Sequence, residues 1–280
     1  MAEISASLVM ELRNKTGAKM MDAKRALVDT DGNLEKAVEL LREKGQAEAG
    51  KRTHRATAEG TILSVQTDDH GAAALVDVNC ETDFVAKTDQ FVSLARGLAQ
   101  WALGQTEEVL ASESVPEDLS AEIKAAISKT GENIQFRRGV KFAAEHGVVE
   151  PYLHLGGKIG VLVQVDGATA EAVRVLAKDL AMQVAAASPD YLTREDVPEA
   201  TIEKEKEIYR QLARNEGKPE QILDKIAEGR LEKFYKDTCL LEQPFVKDPD
   251  MPVKARVAEV AKAAGVALTV ARFVRFQLGQ

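Results

Sequence analysis

The chain has 280 residues with 45 acidic and 37 basic side chains, which give a formal net charge of −8 at neutral pH. Its apolar content of 45% and charged content of 29% exclude an intrinsically disordered chain, and the acidic balance argues against a dedicated nucleic-acid binder, which usually carries a basic excess. Because the sequence has no apolar run of about 18 residues, no signal-peptide pattern and only two cysteines, Cys80 and Cys239, we expect a soluble cytoplasmic protein without a disulfide framework.

The first 50 residues have the apolar periodicity of three short helices. Thr16-Gly17 is a stop signal for the first helix, and Gly45 is a candidate C-terminal cap for the third. A segment of this size is near the lower limit for independent folding and too small to enclose a catalytic pocket, so residues 1–50 are predicted to form a docking domain. The predicted helices cover residues 4–15, 19–28 and 34–44.

A basic segment, 51–57, follows this domain and contains Lys51, Arg52, His54 and Arg55. Such a cluster is typical of a solvated hinge between domains, and it can also contact phosphate groups. We therefore predict a linker here. RNA binding remains an alternative function, which the net charge of −8 disfavours.

From residue 58 the apolar period changes from helical spacing to two, which indicates strands. Asp68-Asp69-His70-Gly71 separates the first two apolar runs and is typical of a hairpin turn. Helices alternate with these strands, so we predict an α+β core. The predicted elements, in chain order, are strands at 61–65 and 73–78, helices at 88–103 and 116–129, and strands at 134–145 and 148–155.

A partial internal repeat divides this core into two related α+β subdomains, predicted at 58–140 and 141–280. The repeated strand and helix are 19 residues apart in the first copy and 14 in the second, so the first copy carries five extra residues within 81–87. An insertion into one copy of a duplicated scaffold is a natural place for an added function. The matching segments are 75–78 with 162–165 and 94–99 with 176–181.

The second subdomain contains a charged helical hairpin at about 190–240. Its helices, 198–215 and 219–237, have narrow apolar seams and are joined by a Gly-Lys-Pro turn. This pattern predicts a protruding antiparallel arm, either a solvated hairpin without a direct function or an assembly arm. A helix at 252–264 and a strand at 266–278 follow. The strand is predicted to place six apolar residues on one face: Val266, Leu268, Val270, Val274, Phe276 and Leu278.

Sequence motifs that mark common enzyme active sites are absent. The chain has no Walker A loop, no nucleophile elbow and no HExxH zinc motif, and none of its histidines lies at a metal-ligand spacing from a cysteine. Gly156-Gly157-Lys158 lacks the first glycine and the final Ser or Thr of a phosphate-binding loop, and is predicted to be a turn before a strand. We therefore predict a protein that is not an enzyme, with no catalytic residue, no cofactor and no metal site.

Three long segments carry a family resemblance. Residues 12–22 match L-R-x-x-T-G-A-x-M-M-D, and residues 78–86 match V-N-C-x-T-D-F-V-A. A third match runs from Gly139 through Lys158-Ile159-Gly160-Val161-Leu162-Val163, with Gln243-Pro244-Phe245 later. Together, in this order along essentially the whole chain, they resemble the bacterial elongation factor Ts family, the nucleotide-exchange factors of elongation factor Tu.

This resemblance implies a ubiquitin-associated-like helical domain followed by a core of two similar α+β subdomains with a protruding antiparallel coiled coil. It implies elongation factor Tu, a GTPase, as the partner. It also implies self-association through the core or the coiled coil, with no membrane and no direct nucleic-acid partner. An RNA-binding translation factor, based on the basic segment, is the alternative to this function.

The resemblance further implies which residues contact the GTPase. Those in the inserted segment would push between two GTPase helices near the magnesium site: Thr82, Asp83, Phe84 and Val85. Those that match partner contacts elsewhere are Arg13, Met20 and Met21 in the N-terminal domain, and His154 and Gly156 in the second subdomain. From the residues alone, Phe84 is equally well explained as a core residue at a strand end, and one of the adjacent methionines is expected to fill the small helical core.

Overall fold

The computed structural model describes residues 4–280, apart from the side chains of residues 46–49. Three N-terminal helices precede two larger antiparallel sheets flanked by helices and a small two-stranded sheet, which confirms the predicted α+β fold. The helices are α1 (Ala6–Thr16), α2 (Met20–Asp29), α3 (Leu34–Gly50), α4 (Asp83–Ala86), α5 (Asp89–Leu103), α6 (Glu117–Thr130), α7 (Glu171–Ala187), α8 (Glu199–Asn215), α9 (Leu223–Thr238) and α10 (Val253–Ala264). The strands are β1 (Glu59–Gln66), β2 (Ala72–Cys80), β3 (Val109–Ala111), β4 (Ile134–Ala143), β5 (Gly147–His154), β6 (Ile159–Asp166), β7 (Pro244–Phe245), β8 (Asp248–Pro252) and β9 (Thr269–Gln277). Across the described part of the chain, none of these helices combines the length and the apolar character that crossing a membrane requires.

Helices α1 to α3 pack around a small apolar core that includes Leu12 and Leu27. Ser5 caps α1, because its side-chain oxygen accepts a hydrogen bond from the backbone N–H of Leu8. Gly17 ends the same helix in the left-handed conformation, with φ of 68°, as its stop signal predicted.

Helix α3 does not end at Gly45, as the sequence predicted, but continues to Gly50. A Cβ atom at Gly45 would lie 2.7 Å from Ser128 Oγ on α6. The glycine therefore lets α3 approach α6 closely, and it serves packing between helices rather than helix termination.

The first sheet has the strand order β1-β2-β4-β3 and is covered on one face by α5 and α6. The β1–β2 hairpin turns at residues 67–71, as predicted, with His70 at a positive φ of 61°. Two elements of the first copy, strand β3 and helix α4, were not predicted. Each is too short for an apolar period to emerge above the surrounding residues.

The second sheet, ordered β5-β6-β9, repeats the plan of the first. In both copies a hairpin leads into a helix, and a later strand pairs with the second strand of the hairpin. A bulge falls at the corresponding place in each copy, after Asp77 of β2 and after Gln164 of β6. The buried positions of the two helices also correspond, which supports the predicted duplication: Phe91, Leu94, Ala95, Leu98, Ala99 and Ala102 in α5, and Val173, Leu176, Ala177, Leu180, Ala181 and Val184 in α7.

The two sheets pack face to face through a shared apolar cluster that includes Ile62 and Val149. The backbone N–H of Ile62 donates to the carbonyl of Gly157 at 2.7 Å, and the backbone N–H of Val149 donates to the carbonyl of His70 at 2.8 Å. Each hairpin turn thus binds the first strand of the other copy, which gives the core an internal two-fold character.

The same reciprocity holds for two cation–π contacts between the sheets. Arg138 of β4 lies over Phe276 of β9, 4.3 Å from the ring centroid. Arg272 of β9 lies over Phe142 of β4 at 4.2 Å. Because β4 and β9 each supply one cation and one aromatic ring, both halves of the core contribute equally to the junction.

The single apolar face predicted for the last strand is wrong, because a bulge interrupts it. Gln164 pairs with Arg272 but Val165 pairs with Val270, so Ala271 has no opposite residue. An extra residue inverts the side-chain alternation. Val270 and Leu268 therefore pack towards α7, whereas Val274, Phe276 and Leu278 pack against the first sheet, and Val266 precedes the strand.

Helices α8 and α9 form the predicted hairpin and pack on each other through a narrow seam that includes Ala213 and Leu231. At its base Arg194 donates to both Glu232 and Glu242, and its guanidinium lies over Tyr235. The domain limits drawn from the sequence remain predictions.

Candidate protein-interaction site

A single helical turn, α4, lies in the insertion between β2 and α5 and presents Phe84 to solvent. Thr82 caps this turn, because its hydroxyl accepts a hydrogen bond from the backbone N–H of Val85 at 3.4 Å. Phe84 is 81% exposed, more than any other large apolar side chain in the described residues. The alternative that Phe84 belongs to the core is therefore wrong. Its exposure forgoes about 1.5–3 kcal/mol of burial, which contact with a partner would recover.

The charged groups beside Phe84 are paired. Lys87 Nζ lies 2.6 Å from Asp83 Oδ2, one helical turn away. The hydrogen bond from Lys87 holds the pKa of the Asp83 carboxyl below its usual value, and the charge of Lys158 lowers it further. Asp83 is thus an anion at neutral pH.

Arg13, Met20 and Met21 all face solvent where α1 leads into α2. Met20 is 43% exposed and Met21 is 58% exposed, and neither belongs to the core of the three helices. The expectation that one methionine fills this core is wrong, because the inward face of α2 is made by later residues such as Ala26 and Leu27.

The α1–α2 turn and the Phe84 turn are linked through the end of α6. A Cβ atom at Gly17 would lie 3.1 Å from Lys129 Cδ. Shortly after Lys129, the carboxylate of Glu132 accepts hydrogen bonds from the backbone N–H of Thr82 at 3.0 Å and from its hydroxyl at 2.7 Å. The structure therefore brings these two predicted groups of residues into one region of the molecule.

The third predicted group lies in the β5–β6 turn. His154 ends β5 and is exposed, and its Nδ1 atom is 3.1 Å from the hydroxyl of Tyr152. Leu155, Gly156 and Gly157 follow with positive φ angles of 51°, 67° and 90°, which confirms the predicted turn before a strand. Leu155 is 66% exposed although this backbone conformation is strained for a side chain of its kind.

Sequence reasoning missed two residues of this region. Leu155 could have been noticed as an apolar residue inside a glycine-rich turn. Glu132 gave no local signal, because its partner Thr82 lies 50 positions away along the chain.

The region exposes large apolar side chains, a feature that is common at protein-interaction surfaces. Within the described residues, no group of three or more His, Cys, Asp or Glu side chains is placed to hold a metal ion. Burial raises the pKa of the nearby Cys80 thiol to about 12, so this thiol is not a nucleophile at neutral pH. A cavity of about 390 Å³ lies elsewhere, between α6 and β4, where Ile123 and Phe136 line it.

The chain is similar to known proteins over nearly its whole length. The family described as "Elongation factor TS" matches residues 81–280. The chain is 49% identical to "Elongation factor Ts" of Clostridium botulinum (strain Alaska E43 / Type E3), over 99% of this chain and 93% of the relative. It is 46% identical to the protein of the same name from Alkalilimnicola ehrlichii, over 99% of this chain and 92% of the relative. It is also 46% identical to that from Clostridioides difficile (strain 630), over 100% of this chain and 94% of the relative.

Proposed function

The chain belongs to the elongation factor Ts family, and on that premise we propose that this translation elongation factor is a guanine nucleotide exchange factor. It binds elongation factor Tu carrying GDP, disturbs the magnesium and phosphate site of that GTPase, and promotes release of GDP so that GTP can bind. It works in the cytoplasm, where translation takes place. The observation that carries the proposal is the exposed Phe84 on a turn that only one copy of the duplicated core possesses.

Exchange requires binding energy rather than covalent chemistry, so the factor needs no catalytic residue. It must bind the nucleotide-free GTPase more tightly than the loaded form. By reciprocity the nucleotide weakens the hold of the factor by the same ratio, and the complex of all three is transient. The factor therefore accelerates release, while the supply of GTP sets the direction.

One aromatic side chain is not enough for this task. Each tenfold gain in release requires about 1.4 kcal/mol, and a ten-thousandfold gain requires about 5.5 kcal/mol. Burial of Phe84 supplies about 1.5–3 kcal/mol. Further contacts are thus needed, and the exposed side chains of Arg13, Met20, Met21 and His154 are suited to provide them.

Within this proposal the three groups of residues have different tasks. Thr82, Asp83, Phe84 and Val85 form the wedge that displaces groups around the GTPase magnesium ion. Arg13, Met20 and Met21 dock on the nucleotide-binding domain, where the flexible methionines adapt to the partner surface. His154 and Gly156 meet another part of the GTPase.

The test follows release of fluorescent GDP from elongation factor Tu after addition of the protein. The wild type is expected to accelerate release, and Phe84→Ala is expected to lose most of this acceleration. Because Phe84 is exposed, the variant should unfold at nearly the wild-type temperature. Val109→Ala is the matched control, since Val109 is also a large apolar residue at the surface, 76% exposed, but lies on β3 away from the site.

Two results would count against the proposal in different ways. No acceleration by the wild type would reject the exchange function as a whole. Equal acceleration by the wild type and Phe84→Ala would reject the wedge while leaving exchange by other contacts in place.

A further inference from the structure

The start of the Phe84 turn is anchored by a carboxylate from another part of the fold. Both oxygens of Glu132 are used: Oε2 accepts from the backbone N–H of Thr82 at 3.0 Å, and Oε1 accepts from the Thr82 hydroxyl at 2.7 Å. The same hydroxyl caps α4 through the N–H of Val85. Helix α4 is one turn long and no residue of it is fully buried, although Val85 and Ala86 pack partly against the first core cluster. The cap and its anchor therefore fix the start of the turn from which Phe84 projects.

A second contact in the opposite direction reinforces the first. The carboxylate of Glu81 accepts a hydrogen bond from the backbone N–H of Asn133 at 2.7 Å. Adjacent residues of the two segments thus exchange carboxylate-to-backbone hydrogen bonds, and charge-assisted bonds of this kind are stronger than neutral ones. The start of the insertion and the entry to β4 consequently move as one unit.

The second copy of the repeat shows what the connection looks like without the insertion. There a Cβ atom at Gly167 would lie only 2.0 Å from the carbonyl oxygen of Ala267, just before β9. The two backbones touch directly, and no side chain bridges them. In the first copy the corresponding residue, Cys80, still pairs with Ile134 in the ladder, and the added turn begins just beyond this pair, where Glu132 reaches Thr82.

From this comparison we propose that Glu132 is a positioning residue for nucleotide exchange, which fixes the Phe84 turn in the orientation that the GTPase binds. This inference rests on the proposed exchange function. Glu132 acts through Thr82 and Phe84, and it makes no contact with the nucleotide itself.

The experiment measures the release of fluorescent GDP from elongation factor Tu over a range of factor concentrations, which separates the maximal rate from the half-saturating concentration. Glu132→Ala is expected to lower the maximal rate by about tenfold, because hydrogen bonds to a charged group of this strength are lost. The half-saturating concentration is expected to change less than about twofold, because the N-terminal contacts remain. A variant that had merely lost part of its folded population would instead regain the full rate at saturation.

Three further variants make the result specific. Glu132→Gln keeps an oxygen for the Thr82 N–H and an amide for its hydroxyl, so it should recover most of the maximal rate. Glu122→Ala removes an exposed carboxylate from the same region of the chain, on α6, and should behave as the wild type. In a Phe84→Ala background, Glu132→Ala should cause no additional loss, since both changes disable the same turn.

A wild-type maximal rate for Glu132→Ala would overturn the proposal, and so would a full additional loss in the Phe84→Ala background. Either result leaves the exchange function standing as long as the wild-type protein accelerates GDP release. A wild-type protein that fails to accelerate release would overturn both proposals.

Discussion

Replacement of Gly160 by alanine would add a methyl group to the interface between the two sheets, where its neighbours leave no space. A Cβ atom at Gly160 would lie 2.3 Å from Ile62 Cγ2 and 2.8 Å from Leu75 Cδ1. Both neighbours are themselves fully buried, so neither can move aside freely. Overpacking of this kind costs about 1–3 kcal/mol, and we expect the free energy of unfolding to fall towards the upper end of that range.

The other copy of the repeat shows that the restriction is specific to Gly160. Ala73 occupies the corresponding position of β2 and accommodates its methyl group in the same cluster. The internal two-fold character is therefore broken at this point, because Ile62 occupies the space that a side chain of residue 160 would need. Removing part of Ile62 should relieve the clash.

A double-mutant cycle tests this reasoning. Ile62→Ala alone creates a cavity and should cost about 2–5 kcal/mol. In Gly160→Ala/Ile62→Ala the new methyl group fills part of that cavity, so the double variant should lose at least about 1 kcal/mol less than the sum of the two single losses. Urea unfolding followed by the fluorescence of the single tryptophan, Trp101, which packs edge-on against Phe136, gives all three values.

The matched control is Gly229→Ala on α9, where a Cβ atom would meet nothing within 4 Å. This variant should gain up to about 1 kcal/mol, because alanine favours the helix more than glycine does. The reasoning would be refuted if Gly160→Ala were as stable as the wild type, or if the two losses in the cycle were simply additive.

Three other predictions follow from local contacts. Cys80 is buried with its pKa raised to about 12, so alkylation at mildly alkaline pH should spare it in the folded protein and modify it after denaturation, as mass spectrometry would show. Arg194 lowers the pKa of Glu242, so this carboxyl contributes stability that is present above its ordinary pKa and lost as the pH falls through the lowered value. Arg194→Gln should therefore lose less unfolding free energy than the wild type between neutral and acidic pH. An unchanged loss would contradict the prediction. Met20→Ala/Met21→Ala should change the free energy of unfolding by less than about 0.5 kcal/mol, because both side chains are exposed. In the exchange assay it should raise the half-saturating concentration without lowering the maximal rate. A clear fall in the melting temperature would refute this prediction.

The parts of the fold that could be predicted are those with a local signal. The stripe of α5 and the hairpin turn before β2 follow from spacing and turn residues, and the repeat follows from matching segments. The close packing at Gly45 and the bulge at Ala271 could not be predicted, because each depends on a distant partner. A glycine that ends a helix and a glycine that packs against another helix look the same along the chain.

The same distinction between local signals and distant contacts applies to the candidate site. The position of the insertion could be predicted from the unequal spacing of the two copies. The exposure of Phe84 could not, because the same residue fits a strand end equally well until β2 is seen to stop at Cys80. The contact between Glu132 and Thr82 could not be predicted, since no pattern connects the two residues across 50 positions.

The reciprocal junction between the sheets explains how a duplicated scaffold can hold two different turns at a fixed separation. The Phe84 turn belongs to the first copy and the His154 turn to the second, and the backbone bond from Ile62 to Gly157 joins the first strand of one copy to the turn of the other. A shift of one sheet over the other would break this bond together with the Arg138–Phe276 contact. Because both of these contacts have a counterpart in the opposite direction, the junction resists sliding both ways. Under the proposed exchange function, a GTPase that meets both turns would encounter a rigid pair of contacts, and the binding energy would deform the GTPase rather than the factor.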